Sequence, residues 1–137
     1  MHEERFKFKQ ENGKEYIYDT NRKKFVVLTA EEWVRQNALY HLMHVLHYPA
    51  AVISVEKQIK IGSRNRRYDI VVYKNSTPWL IVECKSEKEV LNDKVLSQLL
   101  SYNSILEVSY LTITNGTHIM TYDIGAQTWK NEFPCYS

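Results

Sequence analysis

The chain has 137 residues, the commonest size for one domain, with 44% hydrophobic and 25% charged residues, a composition that excludes a disordered tail or a fibre. A net charge of +2 is too small to argue for nucleic acid by itself, and two cysteines, Cys84 and Cys135, exclude a disulfide framework and fit a reducing compartment. Met1 to Arg5 lack an apolar core segment and no apolar run reaches bilayer length. One cytoplasmic domain over residues 1–137 is therefore expected, with no membrane partner, N-terminal strands over 1–28 and the core over 29–125.

From Phe6 to Leu28 apolar and polar residues alternate, broken by the turn signals Asn12-Gly13 and Thr20-Asn21-Arg22, which predicts short antiparallel strands. Thr29 offers an N-cap hydroxyl, with Glu32 three residues on as its capping-box partner. Val34, Ala38, Leu42 and Val45 follow at helical spacing, so a helix is expected from about Ala30 to His47, ended by Tyr48-Pro49.

Ala51 to Ile61 reads as a strand, Gly62-Ser63-Arg64-Asn65 as a turn, Arg66 to Tyr73 as a strand, Lys74 to Pro78 as a loop, and Trp79 to Lys85 as a strand. Ile70 to Tyr73 and Trp79 to Val82 are nearly continuous apolar runs, the pattern of strands covered on both faces. Val95, Leu99, Tyr102 and Leu106 mark an amphipathic helix over about 91–106 that suits a crossover. A strand at Tyr110–Thr114, a type I′-like turn at Asn115-Gly116, a strand at His118–Asp123 and a last piece near Trp129 complete an α/β fold with a mixed central sheet flanked by helices.

Asp69 begins one apolar strand, and Glu83-Cys84-Lys85 closes the next, so two-residue alternation puts both acids and the lysine together on one face. Charges at the mouth of such strands are costly unless they pair or bind a metal. Two carboxylates and a backbone carbonyl, that of Cys84, form an all-oxygen set suited to Mg²⁺ (or Mn²⁺). Lys85 would then orient an attacking water or stabilise the charge that grows on a phosphate. The plain alternative is a structural ion pair, which for an isolated Glu-x-Lys is the more common outcome.

These residues resemble the PD-(D/E)xK nuclease superfamily, with Asp69 as the first acid, Glu83-Cys84-Lys85 as the second half, and Tyr68 where that pattern has proline. Gln98 and Tyr102 resemble the Gln-x-x-x-Tyr motif of type I restriction enzymes and recombination helicase-nucleases. Tyr18 to Gln36, Tyr48-Pro49 and Thr114-Asn115-Gly116 resemble stand-alone type I restriction enzyme R-protein N-terminal domains. The similarity runs from about Tyr16 to Tyr122 and carries no helicase or translocase motor.

The resemblance implies a restriction-endonuclease-like core with an N-terminal β-hairpin extension, and a Mg²⁺-dependent endonuclease acting on DNA. It also implies a further acid near the start of the first helix, which Glu31 or Glu32 must supply. Glu31 is favoured, because it shares a face with Val34, Ala38 and Leu42, whereas Glu32 is explained by capping. Gln98 would hydrogen-bond near the metal or the DNA backbone, and Tyr102 would do likewise or pack.

Arg64, Arg66 and Arg67 either hold phosphates beside the metal or form a solvated hairpin tip. His41, His44 and His47 drift around their helix and read as surface or packing residues. The competing function is an inactive or partner-dependent DNA-binding module, served by a helicase/translocase or a specificity protein. One compact site cuts one strand, so double-strand cleavage would need a second visit or a homodimer.

Overall fold

The computed structural model describes residues 5–61, 64–102 and 107–137, the side chains of residues 61, 64 and 102 excepted. Among the described residues no helix is long and apolar enough to cross a membrane.

Strands β1 (Phe8–Glu11), β2 (Lys14–Asp19) and β3 (Lys24–Val27) form a small antiparallel sheet in that order. Its first turn has φ of 53° at Asn12 and 77° at Gly13, the left-handed pair that a type I′ hairpin requires. The second turn is tied by the Asp19 carboxylate, which accepts from the Asn21 and Arg22 amides.

Thr29 caps helix α1 (Ala30–Tyr40), its hydroxyl accepting from the Glu32 amide at 3.0 Å. The helix then widens into a π turn over His41–Val45 instead of running on in α form to His47. The Tyr48 amide reaches back to the Leu42 carbonyl, and a single 3₁₀ turn at Ala50–Val52 delays the next strand. Proline at 49 cannot donate, so the chain must restart with a new hydrogen-bond pattern.

The main sheet has the order β4 (Ile53–Ile61), β5 (Arg64–Lys74), β6 (Thr77–Cys84), β7 (Tyr110–Thr114), β8 (Ile119–Asp123), β9 (Thr128–Lys130). Only β6 and β7 pair in parallel, and helix α2 (Asp93–Tyr102) supplies the crossover between them. The connection from β5 to β6 is tighter than the expected loop. Asn75 and Ser76, at φ 52° and 65°, form a two-residue turn, and a register shift after Val72 accommodates Pro78.

The Asn115-Gly116 segment departs from a type I′ turn, since only Gly116 has positive φ. Instead the Asn115 side-chain oxygen accepts from the amides of Thr117 and His118, closing a four-residue loop. A Cβ at Gly116 would lie 3.3 Å from a Val34 methyl, so glycine lets this loop press against α1.

Val34, Ala38 and Leu39 of α1 and Leu42 of the π turn pack with Ile70, Val72, Leu80 and Val82 on one side of the sheet. Val71, Ile81, Leu111 and Ile113 pack with Leu99 of α2 on the other. The sheet is thus covered on both faces, as the apolar runs predict.

Candidate active site

In the β5–β6 register Ile70 lies opposite Val82, so the next pair toward the strand ends is Asp69 and Glu83. The Cys84 amide donates to Asp69 Oδ2 at 2.8 Å, which fixes the aspartate against the neighbouring strand. Asp69 Oδ1 accepts from Arg35 Nη2 at 2.7 Å. Both oxygens of Asp69 therefore have donors.

Glu83 is placed differently. Its side chain is 14% exposed and its nearest ion pair is a loose 3.9 Å contact with Arg66. Its Oε1 is buried without a hydrogen-bond partner, a costly arrangement for a carboxylate. Burial and the Asp69 charge push its pKa up to about 7, against the opposing pull of Arg66 and Lys85.

The Lys85 amide binds the Thr114 carbonyl at 2.8 Å, anchoring the residue to β7. Its ammonium makes no ion pair or hydrogen bond among the described residues, yet its charge acts on both Glu83 and Glu31. Among the described residues Lys85 forms no ion pair with Asp69 or Glu83, as the plain alternative would require. Glu31 borders the cluster at the surface, with a half-exposed side chain 3.5 Å from Arg35 Nη2. Partial burial and the Asp69 charge raise its carboxyl above the ordinary value.

Capping does not account for Glu32. Thr29 caps its amide, but the carboxylate is buried and binds Arg35 Nη1 at 2.5 Å, Arg22 Nη2 at 2.8 Å and Gln36 Nε2 at 3.0 Å. Glu32 is thus committed to Arg35, Arg22 and Gln36, whereas the Glu31 carboxylate is the one whose charge acts with those of Asp69 and Lys85.

Two residues join the site without having been marked in the sequence. Arg35 is the hub just described. Glu56 of β4 has φ of 56° in the middle of a strand, where its flanks pair Val55 with Ile70 and Lys57 with Tyr68, so the kink falls opposite Asp69. Such backbone costs of order 1 to 3 kcal/mol and collects at functional sites. Here it accompanies Glu56 Oε1 lying 2.6 Å from Arg35 Nη2. Arg35 carried a usable sequence signal, since a charge at that position shares the apolar stripe of Leu39 and Leu42; Glu56 carried none.

Arg66 and Arg67 are more than a solvated tip. Arg66 stacks over Tyr68 and approaches Glu83, while the exposed Arg67 lies 3.6 Å from Glu56. The Arg64 and Tyr102 side chains are outside the described residues. Gln98 is exposed on α2, and its side chain has no partner among the described residues. His41 stacks on Phe133 and His44 on Tyr40, as packing histidines do. Burial pushes the Cys84 thiol well up, so it is no nucleophile.

The donor set suits a hard divalent cation: the orphaned Glu83 oxygen asks for one, and oxygen ligands are what Mg²⁺ takes. Among the described residues, however, no three His, Cys, Asp or Glu side chains converge as a ready metal site. Each Asp69 oxygen already accepts one hydrogen bond, from Arg35 or from the Cys84 amide, so a cation on Asp69 would share its oxygen with one of these donors or replace that donor.

Asp69 does not begin its strand but lies in the middle of β5, beside Glu83 and Lys85 at the end of β6; a six-stranded mixed sheet with a helix on each face and this cluster resembles a nuclease-like α/β fold. A structure described as a proposed nuclease of the DUF820 group, from Anabaena variabilis ATCC 29413, shares that fold at TM-score 0.51 and 12% identity, over 89% of this chain and 78% of that one. Residues 30–133 match the type I restriction enzyme R protein N terminus (HSDR_N), and the chain belongs to that family. A fragment of a proposed HsdR subunit of a type I restriction enzyme from Vibrio vulnificus YJ016 is 23% identical over 60% of this chain, at TM-score 0.47. This chain spans 18% of that one. No curated protein matches.

Proposed function

We propose that this protein is a metal-dependent nuclease that hydrolyses DNA phosphodiester bonds, serving a type I restriction system or a related repair process alongside DNA and other subunits. The observation that carries the reading is the buried Glu83 oxygen beside Asp69, which has no hydrogen-bond partner among the described residues, with a Lys85 ammonium that acts on Glu83 and forms no ion pair among them. An apolar strand end gains nothing from such a group unless a ligand completes it.

Asp69, Glu83 and the Cys84 carbonyl would hold Mg²⁺ or Mn²⁺, with Glu31 at its open side. When bound, the ion lowers the pKa of the attacking water and neutralises phosphate charge. Lys85 orients the water and meets charge developing on the phosphate. Arg66 and Arg67 flank the strand end and offer guanidinium forks to neighbouring phosphates, while Gln98 and Tyr102 would contact the DNA backbone from α2.

A second reading, a module active only with its translocase or specificity partner, is favoured by one observation: both Asp69 oxygens are already bonded. Calorimetric titration of Mn²⁺ or Mg²⁺ into wild type and Glu83→Ala tests the metal assignment. Binding heat in the wild type that is lost in the variant is expected; equal heats would sink the assignment.

A further inference from the structure

The cation-like place beside Asp69 is already filled by a side chain. Arg35 is only 6% exposed, and its Nη2 lies 2.6 Å from Glu56, 2.7 Å from Asp69 and 3.5 Å from Glu31. One nitrogen cannot satisfy three carboxylates fully, but its charge offsets the repulsion that Glu31, Glu56, Asp69 and Glu83 would otherwise exert on one another. A guanidinium does not release its proton, so this neutralisation persists at every working pH.

Arg35 is also held from behind. Glu32 binds it at 2.5 Å and in turn binds Arg22 at 2.8 Å, whose Nε donates to Asp19 Oδ2 at 2.6 Å. Asp19 is fully buried and takes further donors from Gln36 and the amides of Asn21 and Arg22. Burial alone would raise its pKa, but these bonds hold it below the ordinary value, so it stays charged. A continuous relay therefore runs from the end of β2 through α1 to Asp69.

We propose that Arg35 is the resident counter-cation of the carboxylate cluster, that a divalent ion must displace it from Asp69, and that the relay from the N-terminal sheet sets how firmly it resists. The inference rests on the metal-binding reading of Asp69 and Glu83. Metal affinity is then a difference between two cations competing for one oxygen, and Arg35 is a positioning residue that retreats onto Glu32 and Glu56 without losing all its partners.

Calorimetric titration of Mn²⁺ into wild type, Arg35→Met and Arg35→Lys, with thermal unfolding in EDTA and in saturating Mn²⁺, tests it. Arg35→Met should bind Mn²⁺ about tenfold more tightly than wild type. It should also unfold at a lower temperature in EDTA, a deficit that Mn²⁺ closes. Arg35→Lys, which keeps the charge, should bind within about threefold of wild type. An Arg35→Met protein that is destabilised but binds Mn²⁺ no better than wild type would show a purely structural arginine and overturn the inference while leaving the nuclease reading intact. Absence of Mn²⁺ binding by the wild type would overturn that reading, and displacement with it.

Should Arg35→Met fail to fold, the wild-type protein still decides the question by NMR. The Arg35 Nη signals, set in EDTA by the bond to Asp69, should shift as Mg²⁺ is added and that bond is given up while those to Glu32 and Glu56 remain. Signals unmoved by saturating Mg²⁺ would contradict displacement.

Discussion

The two sides of the main sheet treat the strand ends differently. On the α1 side, buried charges form a wired path from Asp19 through Arg22, Glu32 and Arg35 to Asp69. On the α2 side, Leu99 packs on Val71, Ile81 and Leu111, while Gln98 stays exposed. Asp69 accordingly has every oxygen bonded, and its neighbour Glu83 has one buried oxygen bare. The difference teaches that α1 with the N-terminal sheet fixes the geometry of the site, whereas the Glu83–Lys85 half is left chemically unsatisfied. Preorganisation and reactivity are divided between two adjacent strands.

The largest break in that division should come from Lys85→Ala. Cleavage should fall by about 10² or more, the scale of losing one group that stabilises transition-state charge. Stability should change by less than about 1 kcal/mol, because the ammonium holds no ion pair. Rates with Mg²⁺ and urea unfolding, measured on the same preparation, check both halves.

On the wired side the reverse is expected. Asp19→Ala removes the acceptor of Arg22 Nε and of the Asn21 and Arg22 amides, leaves Arg22 and Gln36 only Glu32, and should cost about 3 to 5 kcal/mol in urea unfolding. A cost below about 1 kcal/mol would mean that the relay does not hold the site.

Glu83 gives a pH test of intermediate size. Its carboxyl ordinarily titrates at 4.5 and here at about 7. Below 4.5 both folded and unfolded states are protonated and nothing is lost. As pH rises from 4.5 to 7 the unfolded state ionises first, so metal-free stability falls, by about 3 kcal/mol once above the folded-state pKa. Glu83→Gln should flatten that part of the profile, and Mg²⁺ should restore stability at high pH; a wild-type profile that matches Glu83→Gln in EDTA would refute the assigned strain.

The smallest effect is expected at Gln98. Gln98→Ala should move stability by no more than about 0.5 kcal/mol, because the side chain is exposed and unpartnered. Any loss of cleavage in that variant then reports contact with DNA.

How much of this was readable in advance follows the range of the interactions. Asp69 and the Glu83-Cys84-Lys85 tripeptide stood out because apolar strands make charges at their ends conspicuous, and the two-sided cover of the sheet followed from the unbroken runs around Val71 and Ile81. Asn12-Gly13 was legible because a type I′ turn is set by its own two residues. Glu56 was not, since nothing in the residues around it marks a left-handed backbone in the middle of a strand.

Arg35 was legible only as a charge on the apolar stripe of Leu39 and Leu42, without its partners, and nothing around Asp19 marked it as a buried acceptor. Their roles depend on which buried faces meet. The end of α1 was misjudged for a related reason: apolar spacing continues past Tyr40, but the chain accommodates Tyr48-Pro49 by widening into a π turn.

The most direct test of the proposed chemistry is the conversion of supercoiled and linear DNA with Mg²⁺ or Mn²⁺, comparing wild type with folded Asp69→Ala and Lys85→Ala proteins. Metal-dependent nicking or degradation by the wild type, absent from both variants and from EDTA controls, is the expected result. Equal behaviour of the three proteins would contradict a nuclease centred on Asp69, Glu83 and Lys85.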